Sequence, residues 1–350
     1  MFVALRDIRF ARGRFALMGA VVTLITTLVV FLYGLTGGLA SAASSTIAEL
    51  PADGVVFGAP AGAEAEVSFA SSTVSPEQRD AVAAAGAAET HPLGVAMSRL
   101  TTGSGAASVS VLGTDAALLP PLSRGAAPQD GQLAVGADTA AAYHLSVGSQ
   151  VTLGSRELTV SAVTAERSLS HAPSVWTTPG TWQQVSGQHQ PTALAVRGTP
   201  HGLPADLKAV PLDDALAGIN GYAAEQGSLQ LIQGFLFAVS ALVVGAFFTV
   251  WTVQRRPDIA VLKAVGASSG YLVRDALAQA AAVLLGGALL GGALGAAGGA
   301  FASAAVPFDV GPATVAVPVA AMVLLGLLGA ALAVRRITAV DPLAALGANR

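Results

Sequence analysis

Phe15–Leu39 reads FALMGAVVTLITTLVVFLYGLTGGL, 25 residues without a single charge. A helix needs about 20 apolar residues to cross roughly 30 Å of hydrocarbon. A helix also satisfies its own backbone where no water can. Three more charge-free stretches follow: Gln226–Gln254, Ala276–Phe308 and Val310–Val334. The chain has 350 residues, 53% hydrophobic and 11% charged. An ordinary soluble domain carries about 25% charged residues, and the shortfall here is concentrated in these four stretches. Between the first and second lie about 185 residues of ordinary polarity, enough for a folded domain. The expected fold is an α-helical integral membrane protein with four transmembrane helices. A mixed α+β extracytoplasmic domain is inserted between the first and second.

Charge orients the chain. Residues 1–14, 254–275 and 335–350 hold eleven Lys and Arg against four acids, a net +7. Residues 40–225 hold seven basic residues against sixteen acids, a net −9. Short basic flanks stay in the cytoplasm. Arg6, Arg9, Arg12 and Arg14 precede the first stretch, Arg255 and Arg256 follow the second, and Arg335 and Arg336 follow the fourth. All three clusters place both termini inside a cell membrane and the large domain outside. The segments expected are an amphipathic cytoplasmic helix 1–14, spans 15–39, 226–254, 276–305 and 313–334, and an outer domain with stalk 40–225. An inner loop 255–275, an outer loop 306–312 and a cytoplasmic tail 335–350 complete them. Ala40-Ser41-Ala42 fits a signal-cleavage pattern, but the apolar run before it exceeds a signal peptide's, so the reading is a retained anchor.

Short β-branched runs mark strands in the outer domain: Val55–Phe57, Ser108–Leu112, Val151–Leu153, Leu158–Val163 and Ala193–Val196. Ser75-Pro76-Glu77-Gln78 is a helix start, with Ser75 as N-cap and Gln78 completing a capping box; its helix is expected to reach Ala85. Asp138–Leu145 reads as a second helix. From Asp213 the pattern is helical into the second span, a stiff stalk.

Several chemistries are excluded. There is no cysteine, hence no disulfide or thiolate. The two lysines, Lys208 and Lys263, each follow a leucine, so no GxxxxGK phosphate loop exists. The five histidines, His91, His144, His171, His189 and His201, lack zinc-site spacing. Gly266–Gly270, GASSG, matches a nucleophile elbow but sits between two spans rather than between strand and helix. No catalytic residue, metal, intrinsic cofactor or nucleic-acid partner is expected.

Two groups of residues in and near the spans stand out. Gly287, Gly291, Gly295 and Gly299 recur every four residues, a ridge along which another helix can approach closely, in the same subunit or a second copy. Tyr33 and Glu49 lie near the outer end of the first span, and Tyr222, Gln226, Gln230 and Gln233 enter the second on roughly one face. Polar side chains at that depth need partners. They are candidate substrate contacts, as is Arg167, or else interfacial anchors.

The inner loop Gln254–Arg274 reads QRRPDIAVLKAVGASSGYLVR. Ile259, Leu262 and Val265 share one face of a short helix that stops at Gly266, suited to docking on another protein. This stretch resembles the FtsX-like, MacB-type permeases of ABC transporters, whose inner loop commonly reads R-R-x-[DE]-I-A-[VI]-L-[KR]-A-[LIV]-G-A-S. Val340–Gly347, VDPLAALG, resembles that family's C-terminal end, and the one-plus-three arrangement of spans matches it. Leu5–Arg9 and Ser168–Thr177, SLSHAPSVWT, are similar to the DevC and HrtB group, whose HrtB members export haem. The resemblance implies a permease homodimer in lipid, driven by two copies of a separate ATPase that binds the ATP. It implies coupling through Arg256, Asp258, Ile259, Leu262, Lys263 and Gly266, and haem or a similar amphipathic molecule as the exported substrate. The alternative is a mechanotransmitter acting on an extracytoplasmic partner, or an exporter of peptide, lipid or antibiotic.

Overall fold

The computed structural model describes residues 12–254, 261 and 265–338. Leu5–Arg9, the coupling residues Arg256, Asp258, Ile259, Leu262 and Lys263, and the tail Val340–Gly347 lie outside the described residues. The chain forms two compact units, one of residues up to Gly38 with those from Ser228 onward, the other Leu39–Gly227.

The first unit is helical. It holds α1 (Arg12–Ala48) as far as Gly38, α6 (Tyr222–Gln254) from Ser228 onward, α7 (Ser269–Ala302) and α8 (Pro312–Thr338), and each helix contains a window long and apolar enough to cross a membrane. Its core gathers Met18, Val22, Val29, Val244, Phe248, Trp251, Leu284 and Met322. Phe15 and Phe248 both meet Trp251 edge-on, with centroids 6.2 and 6.1 Å away.

Helix ends differ from the spans read in the sequence. α1 continues nine residues past Leu39. Its last stretch, LASAASSTIA, has no helix breaker, and Ala43–Ile47 are buried in the outer unit. Pro51 follows shortly, where a helix cannot readily continue. α7 starts at Ser269 because the Ser268 hydroxyl caps it, accepting from the Tyr271 amide at 3.3 Å. The GASSG motif is therefore a helix N-cap. The expected continuous stalk from Asp213 is interrupted. A short helix α5 (Leu212–Ala215) and a 3-10 turn, Leu216–Gly218, are followed by Gly221 at φ +80° before α6 begins. The apolar periodicity runs on through Ile219 and Tyr222, but a left-handed glycine cannot belong to a right-handed helix.

The outer unit is one twisted sheet with short helices. Along the chain come β1 (Gly54–Gly58), α2 (Pro76–Ala84), β2 (Glu89–Thr102), β3 (Gly105–Thr114), β4 (Leu122–Gly125), β5 (Gln132–Gly136) and α3 (Ala137–Ala142). Then follow β6 (Gln150–Leu153), β7 (Arg156–Thr164), β8 (Ser168–Leu169), β9 (Ala172–Thr177), α4 (Pro179–Ser186), β10 (Ala193–Arg197) and β11 (Leu207–Pro211). The strand order is β11-β1-β10-β2-β3-β9-β5-β7-β4, with β6 against β2 and β7 and β8 against β9. Pairing is antiparallel except β3–β9 and β5–β7. α2 carries the expected cap: Ser75 Oγ accepts from the Gln78 amide, and the Gln78 side chain accepts from the Ser75 amide at 2.9 Å. α3 ends at Ala142, short of Leu145, because His144 turns left-handed at φ 53°. α4 lays Trp182 over the paired Gly94 and Gly113, where a Cβ on Gly94 would lie 2.5 Å from the indole.

Candidate functional site

The outer end of α1 is gripped by a hairpin. β8 and β9 pair Ser168 with Pro173 and Leu169 with Ala172, leaving Ser170-His171 as a two-residue turn. Both have positive φ, 51° and 60°, the backbone of a type I′ turn that usually takes Asn-Gly. For other residues this region costs about 1–2 kcal/mol each. Hydrogen bonds to α1 hold the turn in place. The Ser170 amide donates to the Ala43 carbonyl at 2.9 Å and the His171 amide to the Ala42 carbonyl at 3.0 Å. Ser45 Oγ accepts from the Ser168 amide at 2.9 Å and donates to its carbonyl. Thr46 Oγ1 and Ser174 Oγ share a buried bond of 2.6 Å, and Ser110 Oγ donates to the Leu169 carbonyl at 2.9 Å. Ser45 and Thr46 are thus the side chains of α1 that bond to the hairpin, while the Ser44 hydroxyl donates back to the Ala40 carbonyl at 2.8 Å.

Charged groups surround this clamp. Arg167 Nη2 meets Glu49 Oε2 at 2.7 Å, with the Arg side chain 17% exposed. Its Nη1 donates to the Glu166 carbonyl at 2.8 Å, so the guanidinium is fixed in place. His171 Nε2 lies 3.0 Å from Glu225 Oε2 on the first turn of α6. Gln226 Nε2 donates to the Tyr222 hydroxyl at 3.1 Å. Beside the clamp, Glu166 closes the N-terminus of α3, accepting from the Asp138 and Thr139 amides and the Thr139 hydroxyl. Burial pushes its carboxyl above the usual range, against the pull of those bonds.

The seven candidate substrate residues divide between the units. Glu49 with Arg167, and Tyr222 with Gln226, pair within the outer unit. In the helical unit, Gln233 Nε2 donates to Thr36 Oγ1, whose own hydroxyl donates to the Tyr33 carbonyl at 3.0 Å. Tyr33 is half-buried and Gln230 exposed. Sequence reasoning missed Ser45, Thr46, Ser174 and the His171–Glu225 pair. The adjacent Ser44-Ser45-Thr46 on a helix was an available signal, since such residues favour caps over helix interiors.

The glycine ridge of α7 faces α1 of the same subunit. A Cβ on Gly287 would lie 2.9 Å from Val22, on Gly291 2.5 Å from the Thr23 carbonyl, and on Gly295 2.8 Å from Val30. Thr27 Oγ1 donates across to the Gly291 carbonyl at 3.2 Å. Gly299 instead accommodates the ring of Phe308 from the outer loop, which also covers Gly34 of α1, and the Asp309 amide donates to the Gly34 carbonyl at 3.0 Å. A groove of about 850 Å³ runs beside the ridge, lined by Phe15, Gly19, Thr23, Val283, Gly286 and Leu290 among others. Of the coupling residues, Gly266 is described, in a turn at φ +102°, a backbone that requires glycine.

Comparison with known proteins matches residues 15–210 to the MacB-like periplasmic core domain and residues 231–342 to the FtsX-like permease C-terminal domain. An uncharacterized ABC transporter permease of Mycobacterium tuberculosis is 26% identical over 360 residues, 99% of each chain. HrtB of Staphylococcus haemolyticus, described as a candidate hemin transport system permease protein, is 25% identical over 355 residues, again 99% of each. Among solved structures, the periplasmic region of MacB from Actinobacillus actinomycetemcomitans aligns with a TM-score of 0.37 at 10% identity, covering 47% of this chain and 90% of that one.

Proposed function

Because this chain belongs to the MacB-like, FtsX-like family of ABC transporter permeases, we propose that it is the membrane subunit of an exporter for haem or a similar amphipathic molecule. Two copies of the permease work with two copies of a separate ATPase, which binds and hydrolyses the ATP. The ATPase pushes the inner-loop segment around Leu262, whose sequence reads as an amphipathic docking face, and the membrane helices carry that movement outward. A ligand shifts a conformational equilibrium only through contacts that differ between states, and a docked amphipathic helix offers such contacts.

The observation that carries the choice of substrate is the Glu49–Arg167 pair at the outer end of α1. Haem is a flat apolar ring with two anionic propionates and an iron that takes oxygen or nitrogen ligands. A fixed guanidinium suits a propionate, since Arg recognises carboxylates with two parallel bonds. The Glu49 carboxylate holds that guanidinium at 2.7 Å and is itself 52% exposed, an oxygen donor of the kind that iron takes. The full-length similarity to HrtB supports the same choice.

Binding is tested by titrating haem into the chain in lipid nanodiscs and following its Soret absorbance. Arg167→Ala and Glu49→Gln are each expected to weaken binding at least tenfold. Wild-type affinity in both variants overturns the haem assignment.

A further inference from the structure

Within the outer unit, the last turns of α1 and the first turns of α6 are held in different ways. α1 is continuous to Ala48, and its buried end is bonded to the Ser168–Ser174 hairpin through Ala42, Ala43, Ser45 and Thr46. α6 has no such continuity, because the chain turns at Gly221, φ +80°, immediately before Tyr222. The tip of the hairpin meets α6 through His171 and Glu225, whose side chains are 44% and 35% exposed. Exposed side-chain pairs of this kind bias an equilibrium by no more than about fivefold even when both partners are charged, whereas buried bonds such as Thr46–Ser174 are costly to leave unmade. The tip also holds two non-glycine residues in left-handed backbone. Strain of that kind persists only where neighbours enforce it, and it clusters at clamps and switches. Further along α6, an added Cβ on Gly227 would meet nothing within 4 Å. No neighbour within this chain calls for a glycine there, and glycine weakens a helix interior.

We propose that the Ser168–Ser174 hairpin is a latch. It is fixed to α1 and releases from α6 at His171–Glu225, so that the first turns of α6 swing about Gly221 while the end of α1 stays in place. Its role in a transport cycle rests on the permease reading above: the nucleotide state of the ATPase sets the fraction of open latch.

The cysteine-free chain allows a direct test. Ser170→Cys with Ala223→Cys places spin labels on two exposed residues and leaves His171 and Glu225 intact. Ser170→Cys with Ala48→Cys reports the fixed side. In nanodiscs, pulsed electron resonance on the first pair is expected to show a short and a long distance, and on the second pair a single one. Glu225→Gln should raise the long fraction up to about fivefold, and exchanging the partners, His171→Glu with Glu225→His, should reverse that rise. A single distance for the first pair, unmoved by Glu225→Gln, overturns the latch. Broadening of both pairs marks lost folding, and His171→Gln then carries the same comparison. With the ATPase subunit bound, a non-hydrolysable ATP analogue should change the short-to-long ratio at least twofold. An unchanged ratio in a complex that forms overturns the latch's role in the cycle. A chain that shows both distances but recruits no ATPase overturns the permease reading and upholds the latch.

Discussion

Gly291→Ala tests the packing of α7 on α1 at its tightest point. The added Cβ would stand 2.5 Å from the Thr23 carbonyl oxygen, 2.7 Å from Thr26 Cβ and 3.1 Å from the Thr27 amide. Contact between such atoms is comfortable at about 3.5 Å or more, so the helices must part locally by about 1 Å. Overpacking of this size costs about 1–3 kcal/mol. The Thr27–Gly291 bond at 3.2 Å lengthens as well, and interhelical bonds of this type contribute about 0.6 kcal/mol. Against this, alanine in a helix interior is favoured over glycine by about 0.5–1 kcal/mol. The net expectation is destabilisation of about 1–3 kcal/mol. Gly286 provides the internal control, because a Cβ there meets nothing within 4 Å. Gly286→Ala should be neutral or stabilising by up to about 1 kcal/mol. The assay is thermal unfolding of each variant in the same lipid nanodisc. At roughly 2–4 °C per kcal/mol, Gly291→Ala should melt several degrees below Gly286→Ala. Equal melting temperatures, or the reverse order, would refute the packing argument.

Three other perturbations probe separate parts of the molecule. Thr46→Val leaves the Ser174 hydroxyl buried without its 2.6 Å partner, a loss of about 1–3 kcal/mol. Adding Ser174→Ala should recover part of it in denaturation, and no recovery would show that the bond is not the cause. Burial raises the carboxyl pKa of Glu166 in the folded protein, so the folded state holds that proton more tightly than the unfolded one. The resulting stability is complete below the ordinary carboxyl value of about 4.3 and is lost as pH rises through the folded value. The wild type should therefore lose melting temperature relative to Glu166→Gln as pH rises above the ordinary carboxyl value of about 4.3, and a pH-independent difference contradicts this. Leu262→Glu puts a charge on the inner-loop face proposed to dock on the ATPase. Membrane insertion should persist while export falls away from ATP hydrolysis, and export at the wild-type level would exclude that face.

The sequence announced the four apolar helices because an uncharged run of 25 residues such as Phe15–Leu39 has few other physical outcomes. The capping box at Ser75–Gln78 was equally visible, since both partners are local. The features that shape the site depend on tertiary contacts. Glu49 and Arg167 are far apart in the chain and meet because α1 reaches the sheet. Ser170-His171 carries neither of the residues that usually mark a type I′ turn, so its left-handed backbone reflects the carbonyls of Ala42 and Ala43 rather than local preference. The break at Gly221 was hidden by apolar periodicity continuing on either side. The glycine ridge was legible as a close-packing face, but its partner, α1, was not, because spacing along one helix carries no information about which neighbour approaches.

The permease is proposed to couple a companion ATPase to the export of haem. The most direct measurement is ATP hydrolysis by the purified permease–ATPase complex in nanodiscs as haem is added. Haem should produce a saturable rise, at least severalfold in the wild type and absent in Arg167→Ala. A complex whose hydrolysis ignores haem, or a permease with which no ATPase assembles, would contradict it.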